Sequence, residues 1–230
     1  MNRVEYPVHF FSENQIKNIF NQRREAPVII EILGTPNSGK TTSLNKFEVI
    51  LRRFNINNYK ILYEAGNGCP IKDKFSPRYN FWTACETIKN VLESIDSGIE
   101  VIVCERGIYD AICWALIYFE EKMIDLNQFK ALLNFYSLDI WQNLFKYLLI
   151  VKCEVNEAIE REKSNGLIEK EGKIVNNIVL SKYNKALKCL IKKYLKGDEN
   201  YSIIDTTAQQ YNDTIKTIVS NIFSFLESSK

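Results

Sequence analysis

The chain has 230 residues, 46% of them hydrophobic, which is enough for one large domain with a substantial core. Its 30 Lys and Arg offset 28 Asp and Glu for a net charge of +2, which gives no sign of a polyanion partner. Six Cys without a CxxC pair, and a single His, argue against a zinc site, while the lack of a signal segment or a membrane-length apolar run points to a reducing cytoplasm.

Residues 1–25 are polar and aromatic. Ser12 with Gln15 has the capping-box spacing, and Ile16, Ile19 and Phe20 share one helical face. This predicts a short helical extension packed on the main domain, with a partner-binding arm as the alternative. His9 has no carboxylate or second His near it in sequence and reads as an ordinary histidine. The β-branched run at 28–33 predicts the first strand, followed by a helix over 40–54 through Leu44, Phe47 and Leu51. A second strand at 59–63 ends at Glu64, and a helix covers about 80–97. The continuous apolar run 99–104 is a third strand of the fully buried parallel type, ending at Glu105-Arg106-Gly107. Helical patterns at 110–122 and 127–143 precede a fourth strand at 147–152. Residues 154–176 are charged and punctuated by Gly166 and Gly172. A helix over 177–196, a fifth strand at 201–204 ending in Asp205-Thr206-Thr207, and a helix over 211–227 complete the chain. Cys104 and Cys153 lie in apolar strand runs and read as small core residues. Alternating strands and helices predict an α/β, three-layer fold with a five-stranded parallel sheet and the ligand at the carboxyl ends of the strands.

Gly34-Thr35-Pro36-Asn37-Ser38-Gly39-Lys40-Thr41 fits Gly-x-x-x-x-Gly-Lys-Thr, with a strand before it and a helix after it. That is the phosphate-binding P-loop in the context it requires. The two glycines let the backbone turn back and approach an anion. Successive N–H groups from Gly34 through Thr35, Asn37, Ser38, Gly39 and Lys40 to Thr41 and Thr42 would form a nest at a helix amino terminus. Lys40 would reach the β and γ phosphates of ATP, and the Thr41 hydroxyl would face Mg²⁺.

Four of the five strands end in chemistry-bearing residues. Glu105 can hold Mg²⁺ or an acceptor hydroxyl, and Arg106 can fork onto a phosphate or pair with Glu64 or Glu105. Glu64 reads either as a general base for an acceptor hydroxyl or as a solvated loop carboxylate. Arg78, Tyr79, Phe81 and Trp82 open the next helix, where an aromatic would stack on a base or simply join the core. Tyr109, Asp110 and Trp114 share that ambiguity, with Asp110 a polar wall for an acceptor pocket. The charged stretch 154–176 is either a lid or a solvated helix with pairs such as Glu157 with Arg161. Its cation candidates are Arg161 and Lys163, then Lys170 and Lys173.

The order of these features over residues 28–227 resembles the thymidylate kinase and deoxynucleoside kinase branch of P-loop kinases, an ATP-binding kinase-like domain. The resemblance implies that Glu64 serves near the phosphate acceptor and that Glu105 and Arg106 contact substrate and the metal region. It also implies that Arg161 comes from a lid and that Thr206 lies near adenine. Two departures stand out: Glu-Arg-Gly replaces the family's Glu-Arg-Ser or Asp-Arg-Tyr, and Glu64 is followed by Ala-Gly-Asn-Gly-Cys-Pro rather than by Pro at once.

The reading is an ATP- and Mg²⁺-dependent phosphotransferase acting on a nucleoside, nucleotide or similar small acceptor, without membrane contact. A kinase for DNA or RNA hydroxyls is the alternative, against which the near-neutral charge argues. A regulatory NTPase is a third; the Asn-Lys-x-Asp guanine signal is absent, since Asn45-Lys46-Phe47-Glu48 falls inside a helix. The apolar stretch 111–119 permits a homodimer through helices flanking the third strand.

Overall fold

The computed structural model describes residues 11–22, 24–166, 172–195 and 200–229. His9, Lys170 and the middle of the proposed lid lie outside them.

Five parallel strands, β1 (Val28–Gly34), β2 (Tyr59–Leu62), β3 (Val101–Glu105), β4 (Tyr147–Lys152) and β5 (Tyr201–Asp205), form one sheet in the order β2-β3-β1-β4-β5. β1 is central, with Ile30 in register with Val103 on one side and Tyr147 on the other. A strand covered on both faces needs apolar residues at every position. β1 obeys this rule except at Glu31, which is fully buried.

The sheet's alternation splits the core in two. Val28, Ile30 and Ile32 pack with α1 (Glu13–Asn21), α2 (Lys40–Arg53) and α9 (Tyr211–Ser228). Ile29 and Leu33, on either side of Glu31, face the opposite layer of α3 (Pro77–Asp96), α4 (Ile108–Glu120), α5 (Leu126–Tyr136) and α8 (Asn177–Lys193). The Ser12–Gln15 capping box forms, and α1 docks Ile16, Ile19 and Phe20 onto the α9 side. Arg24 ties the two helices, donating to the carbonyls of Ile19 at 2.7 Å and Leu226 at 3.4 Å. Cys104 and Cys153 are buried in apolar clusters.

Two helix boundaries differ from the sequence reading for a clear physical reason. The second helix of the main domain begins at Pro77, because proline at the first helical position gives up only an N–H that has no helical partner. The helix expected over 127–143 divides into α5 and α6 (Asp139–Leu144). An extended Leu138 (ψ 138°) turns the chain there, so that Tyr136 and Phe145 both reach the core. Within the 111–119 stretch read as permitting a homodimer, Phe119 is exposed and Leu116 half-buried. Ala111, Ile112, Cys113, Trp114, Ala115, Ile117 and Tyr118 are all buried within the chain, as α4 lies among α3, α5 and α8. Among the described residues, no helix is long and apolar enough to cross a membrane.

Candidate active site

The carboxyl ends of β1, β2 and β3 open into a cavity of about 770 Å³. It runs from a wall of α3 and α4, past the P-loop, to the start of α9. Glu64, Lys40, Thr41, Glu105 and Arg106 all line it, as do Asn37, Gly39 and Thr42. Gly34, Thr35, Ser38 and Thr206 are buried and do not.

The P-loop is wired through its own backbone. Asn37 (φ 58°) and Gly39 (φ 95°) take left-handed conformations that turn the chain into α2. Gly34 is required for a reason other than close approach to an anion. A Cβ at its φ of 143° would overlap the Val151 carbonyl oxygen of β4, at 1.8 Å. The Lys40 ammonium lies on the loop, donating to the carbonyls of Gly34 at 3.0 Å and Thr35 at 2.8 Å. Burial, with the Arg106 guanidinium adding to it, pushes this ammonium down to about 8.

The loop is braced from behind. The Thr35 hydroxyl donates to Asn184 on α8 at 2.8 Å and accepts from the Cys153 amide at 3.2 Å. The Thr206 hydroxyl bonds the Ser38 and Lys152 carbonyls, each at 3.1 Å, so its side chain braces the loop and does not face the cavity. Arg161, on α7 (Val155–Gly166), lines the cavity and clamps the same junction. It donates to the Thr206 carbonyl at 2.6 Å, the Asn37 carbonyl at 3.4 Å and Glu157 at 2.8 Å. The i,i+4 pair of the solvated-helix reading is therefore present in a helix that also touches the P-loop. Asn37 reinforces the contact by donating to Glu162 at 2.8 Å. Lys163 pairs with Glu160 on the surface.

Across the loop, the Thr41 hydroxyl donates to Glu105 at 2.6 Å. A hydroxyl beside a carboxylate, with Thr41 open to water, is the sparse oxygen donor set that suits Mg²⁺, which keeps most of its waters. These two residues fit the ion that the P-loop implies.

The third group is Arg106. Its φ of 67° is left-handed, unusual for a side-chain-bearing residue and costing on the order of 1 kcal/mol. The Arg106 amide is hooked to the Ile32 carbonyl at 2.9 Å, which turns the chain out of β3 and aims the side chain into the cavity. Its guanidinium pairs with Asp110 at 2.7 Å and Glu64 at 3.2 Å and lies 5.8 Å from the Tyr183 ring centre. That guanidinium holds the Glu64 carboxyl below the usual range. Asp110 is buried and also accepts from the Tyr183 hydroxyl.

Tyr79, Asp110 and Trp114 line the cavity; Arg78, Phe81, Trp82 and Tyr109 do not. Trp114 joins the core stack with Tyr118, ring centres 5.9 Å apart, as well as lining the cavity. Sequence reasoning missed Asn80, Tyr183, Asn184 and Glu31. Asn80 is 5% exposed and lines the cavity with an Oδ1 that has no protein partner. It stands in the aromatic run Tyr79-Asn80-Phe81-Trp82, where a single amide carries no distinct signal. Tyr183 and Asn184 sit mid-helix and gave no signal. Glu31 did give one, as a lone charge in an apolar strand.

No protein-family model matches this sequence, and no curated protein is similar to it in sequence. Solved structures are similar in fold. A deoxyadenosine kinase from M. mycoides, with the products dCMP and a flexible dCDP bound, superposes with a TM-score of 0.65 at 16% identity, covering 86% of this chain and 100% of that one. Structures of deoxyadenosine kinase from M. mycoides with dATP and with dCTP give 0.63 and 0.60, each at 16% identity, covering 85% and 86% of this chain and 99% and 100% of theirs. The chain thus has the P-loop α/β fold of the deoxyadenosine kinases.

Proposed function

We propose that this protein is an ATP- and Mg²⁺-dependent kinase that transfers the γ-phosphoryl group to a hydroxyl of a nucleoside. The observation that carries the reading is one cavity holding Lys40, Thr41 and Glu105 at the P-loop and Glu64, Arg106 and Asn80 beside it. The fold shared with deoxyadenosine kinases supports it.

Phosphoryl transfer needs charge neutralisation, in-line positioning and a group to take the acceptor's proton. Lys40 and the loop amides supply the first. Thr41 and Glu105 would hold Mg²⁺, which when bound neutralises charge on the β and γ phosphates. Glu64, kept ionised by Arg106, takes the proton as the acceptor oxygen bonds to the γ phosphorus and the bond to the ADP oxygen breaks. Arg106 orients Glu64 and adds positive charge beside the transferred group. Arg161 holds the P-loop against the β5 turn, where Gln209, Gln210 and Tyr211 would meet the donor base.

An uncharged acceptor is favoured over a phosphorylated one. The acceptor end carries Glu64 and Asp110, both of which engage the Arg106 guanidinium, while Lys40 is held on the P-loop carbonyls and Lys74 is exposed at the cavity's edge. Among the described residues an acceptor phosphate would find no buried cation there that is not already committed to a protein partner. The unpartnered Oδ1 of Asn80 instead suits an N–H on a neutral base.

The test is incubation of purified protein with γ-labelled ATP and Mg²⁺ over a panel of deoxynucleosides, ribonucleosides and their monophosphates. A labelled nucleoside monophosphate is expected. Labelled nucleoside diphosphates only, formed from the monophosphate acceptors, would overturn the acceptor assignment, and no labelled product from the panel or a cell metabolite extract would overturn the kinase reading.

A further inference from the structure

Glu31 is the exception in a strand buried at every position, and the wall of the acceptor pocket rests on it. It sits mid-strand in β1, paired in register with Cys104 of β3 and Leu148 of β4, with no exposed surface. Burying a carboxyl there costs free energy unless hydrogen bonds offset it. The bonds come from the start of α4. Oε1 accepts from the Asp110 amide at 2.9 Å and Oε2 from the Tyr109 amide at 3.2 Å. These are the second and third residues of the helix, whose N–H groups have no partner within it. A neighbouring Ser, Thr, Asn or Asp ordinarily takes them. Here the N-cap position is Gly107, which has no side chain to do so.

Glu31 also explains the glycine. A Cβ at position 107 would lie 2.6 Å from Oε2 of Glu31 and 2.8 Å from its Cδ, with the Phe145 ring at 3.1 Å. The cap supplied by the strand and a side chain at 107 compete for one space. Between them stands Arg106 with its left-handed backbone, and just beyond stands Asp110, which holds the Arg106 guanidinium.

We propose that Glu31 is a positioning residue for the acceptor side of the site. It caps α4 from the neighbouring strand in place of a side chain at 107, and thereby fixes Arg106 and Asp110, and through Arg106 the Glu64 carboxylate. The catalytic consequence rests on the kinase reading above; the cap itself does not.

Three variants test it: Glu31→Val, Glu31→Gln and Gly107→Ser. Valine suits a buried strand and removes the cap. In Glu31→Val, kcat/KM for the nucleoside should fall ~10- to 100-fold, as a small displacement of reacting groups does, while KM for ATP stays within ~3-fold. Glu31→Gln, which keeps one acceptor oxygen, should recover part of the loss. Amide hydrogen exchange at Tyr109 and Asp110 should quicken in Glu31→Val, with the β1 amides still protected. Gly107→Ser should lower Tm and kcat/KM in the parent. In the Glu31→Val background its hydroxyl has room to cap α4, so the double variant should exceed Glu31→Val alone in both. Equal losses from Gly107→Ser in both backgrounds, or unchanged exchange at Tyr109 and Asp110 in Glu31→Val, would overturn the cap. Equal losses for ATP and nucleoside would overturn the positioning role. If the parent phosphorylates no acceptor, the kinase reading fails by itself, while exchange and Tm still decide whether Glu31 caps α4.

Discussion

The two ends of the cavity are built differently. The P-loop end presents mostly main chain to the cavity: one run of residues, two left-handed turns at Asn37 and Gly39, and a lysine folded onto loop carbonyls, with the Thr35, Thr206 and Arg161 side chains behind it. The acceptor end is made of side chains from the segments that follow β2 and β3 and from α3, α4 and α8, most of them held by another. Arg106 rests on Asp110, Asp110 on Tyr183, and the helix carrying Asp110 on Glu31. A site built from backbone tolerates replacement of its scaffold side chains but not of the few that enter it. A site built from relays is sensitive to residues that never touch substrate.

The sharpest test of that contrast is Lys40→Ala. The ammonium touches two loop carbonyls and the Ser38 hydroxyl and contributes little to the core, so Tm should stay within a few degrees of the parent. Turnover should fall ~10³-fold, the loss typical of removing one preorganised charge from a transition state. Unfolding of the variant would show that Lys40 braces the loop and would erase the distinction between the two ends.

Glu105→Gln acts where the ends meet. The amide still accepts from Thr41 but presents no charge to a divalent ion. Turnover should fall ~10²-fold with ATP affinity nearly unchanged, and excess Mg²⁺ should restore part of it. Equal losses in turnover and affinity would mean that Glu105 supports nucleotide binding alone.

The same contrast explains what the sequence could disclose. The P-loop was legible because its determinants are local: a β-branched run, glycines at two set positions and a helix pattern behind them. The sheet was legible because alternating apolar runs leave few ways to bury both faces. Glu64, Glu105 and Arg106 could be drawn together only through the rule that ligands gather at the carboxyl ends of strands. What lay beyond that rule was not legible. Nothing in residues 177–193 marks Tyr183 and Asn184 as the ones that reach Asp110 and Thr35, since that depends on where α8 crosses the sheet. That the Thr206 hydroxyl braces the P-loop was not legible either, because a strand-end hydroxyl bonds whichever carbonyl the next loop presents. Glycine at 107 was visible as a departure, but its cause lies in another strand.

Asn80→Ala probes a milder effect at the relay-built end. With its Oδ1 free to receive a donor, the variant should raise the nucleoside KM ~10-fold, the cost of about one hydrogen bond to a buried group, and leave KM for ATP unaltered. The loss should be confined to acceptors that carry an N–H on the base. An equal loss for an analogue without that N–H would assign Asn80 to packing of the wall.

The smallest effect concerns pH and isolates Glu31 from the rest of the molecule. Burial pushes its carboxyl from an ordinary 4.5 to about 8, against the pull of the Tyr109 and Asp110 amides. The other ionisable groups facing it are Asp110 and Cys113 on α4 and Cys104 on β3. Asp110 pushes Glu31 further up, and the Cys104 and Cys113 thiols are themselves held well above their usual range by burial. Because the folded form keeps this proton while the unfolded chain has already released it, stability falls as pH rises from 4.5 to 8 and levels off above that. Each pH unit in the window removes at most ~1.4 kcal/mol. Glu64 works in the other direction and elsewhere: held down by Arg106, it stabilises the fold above its ordinary value and loses that contribution in acid. Glu31→Gln cannot titrate, so its Tm, although lower at pH 5, should decline less between pH 5 and pH 8 than the parent's. Parallel curves would show that Glu31 is ionised throughout, and that the two amides outweigh burial at the centre of β1.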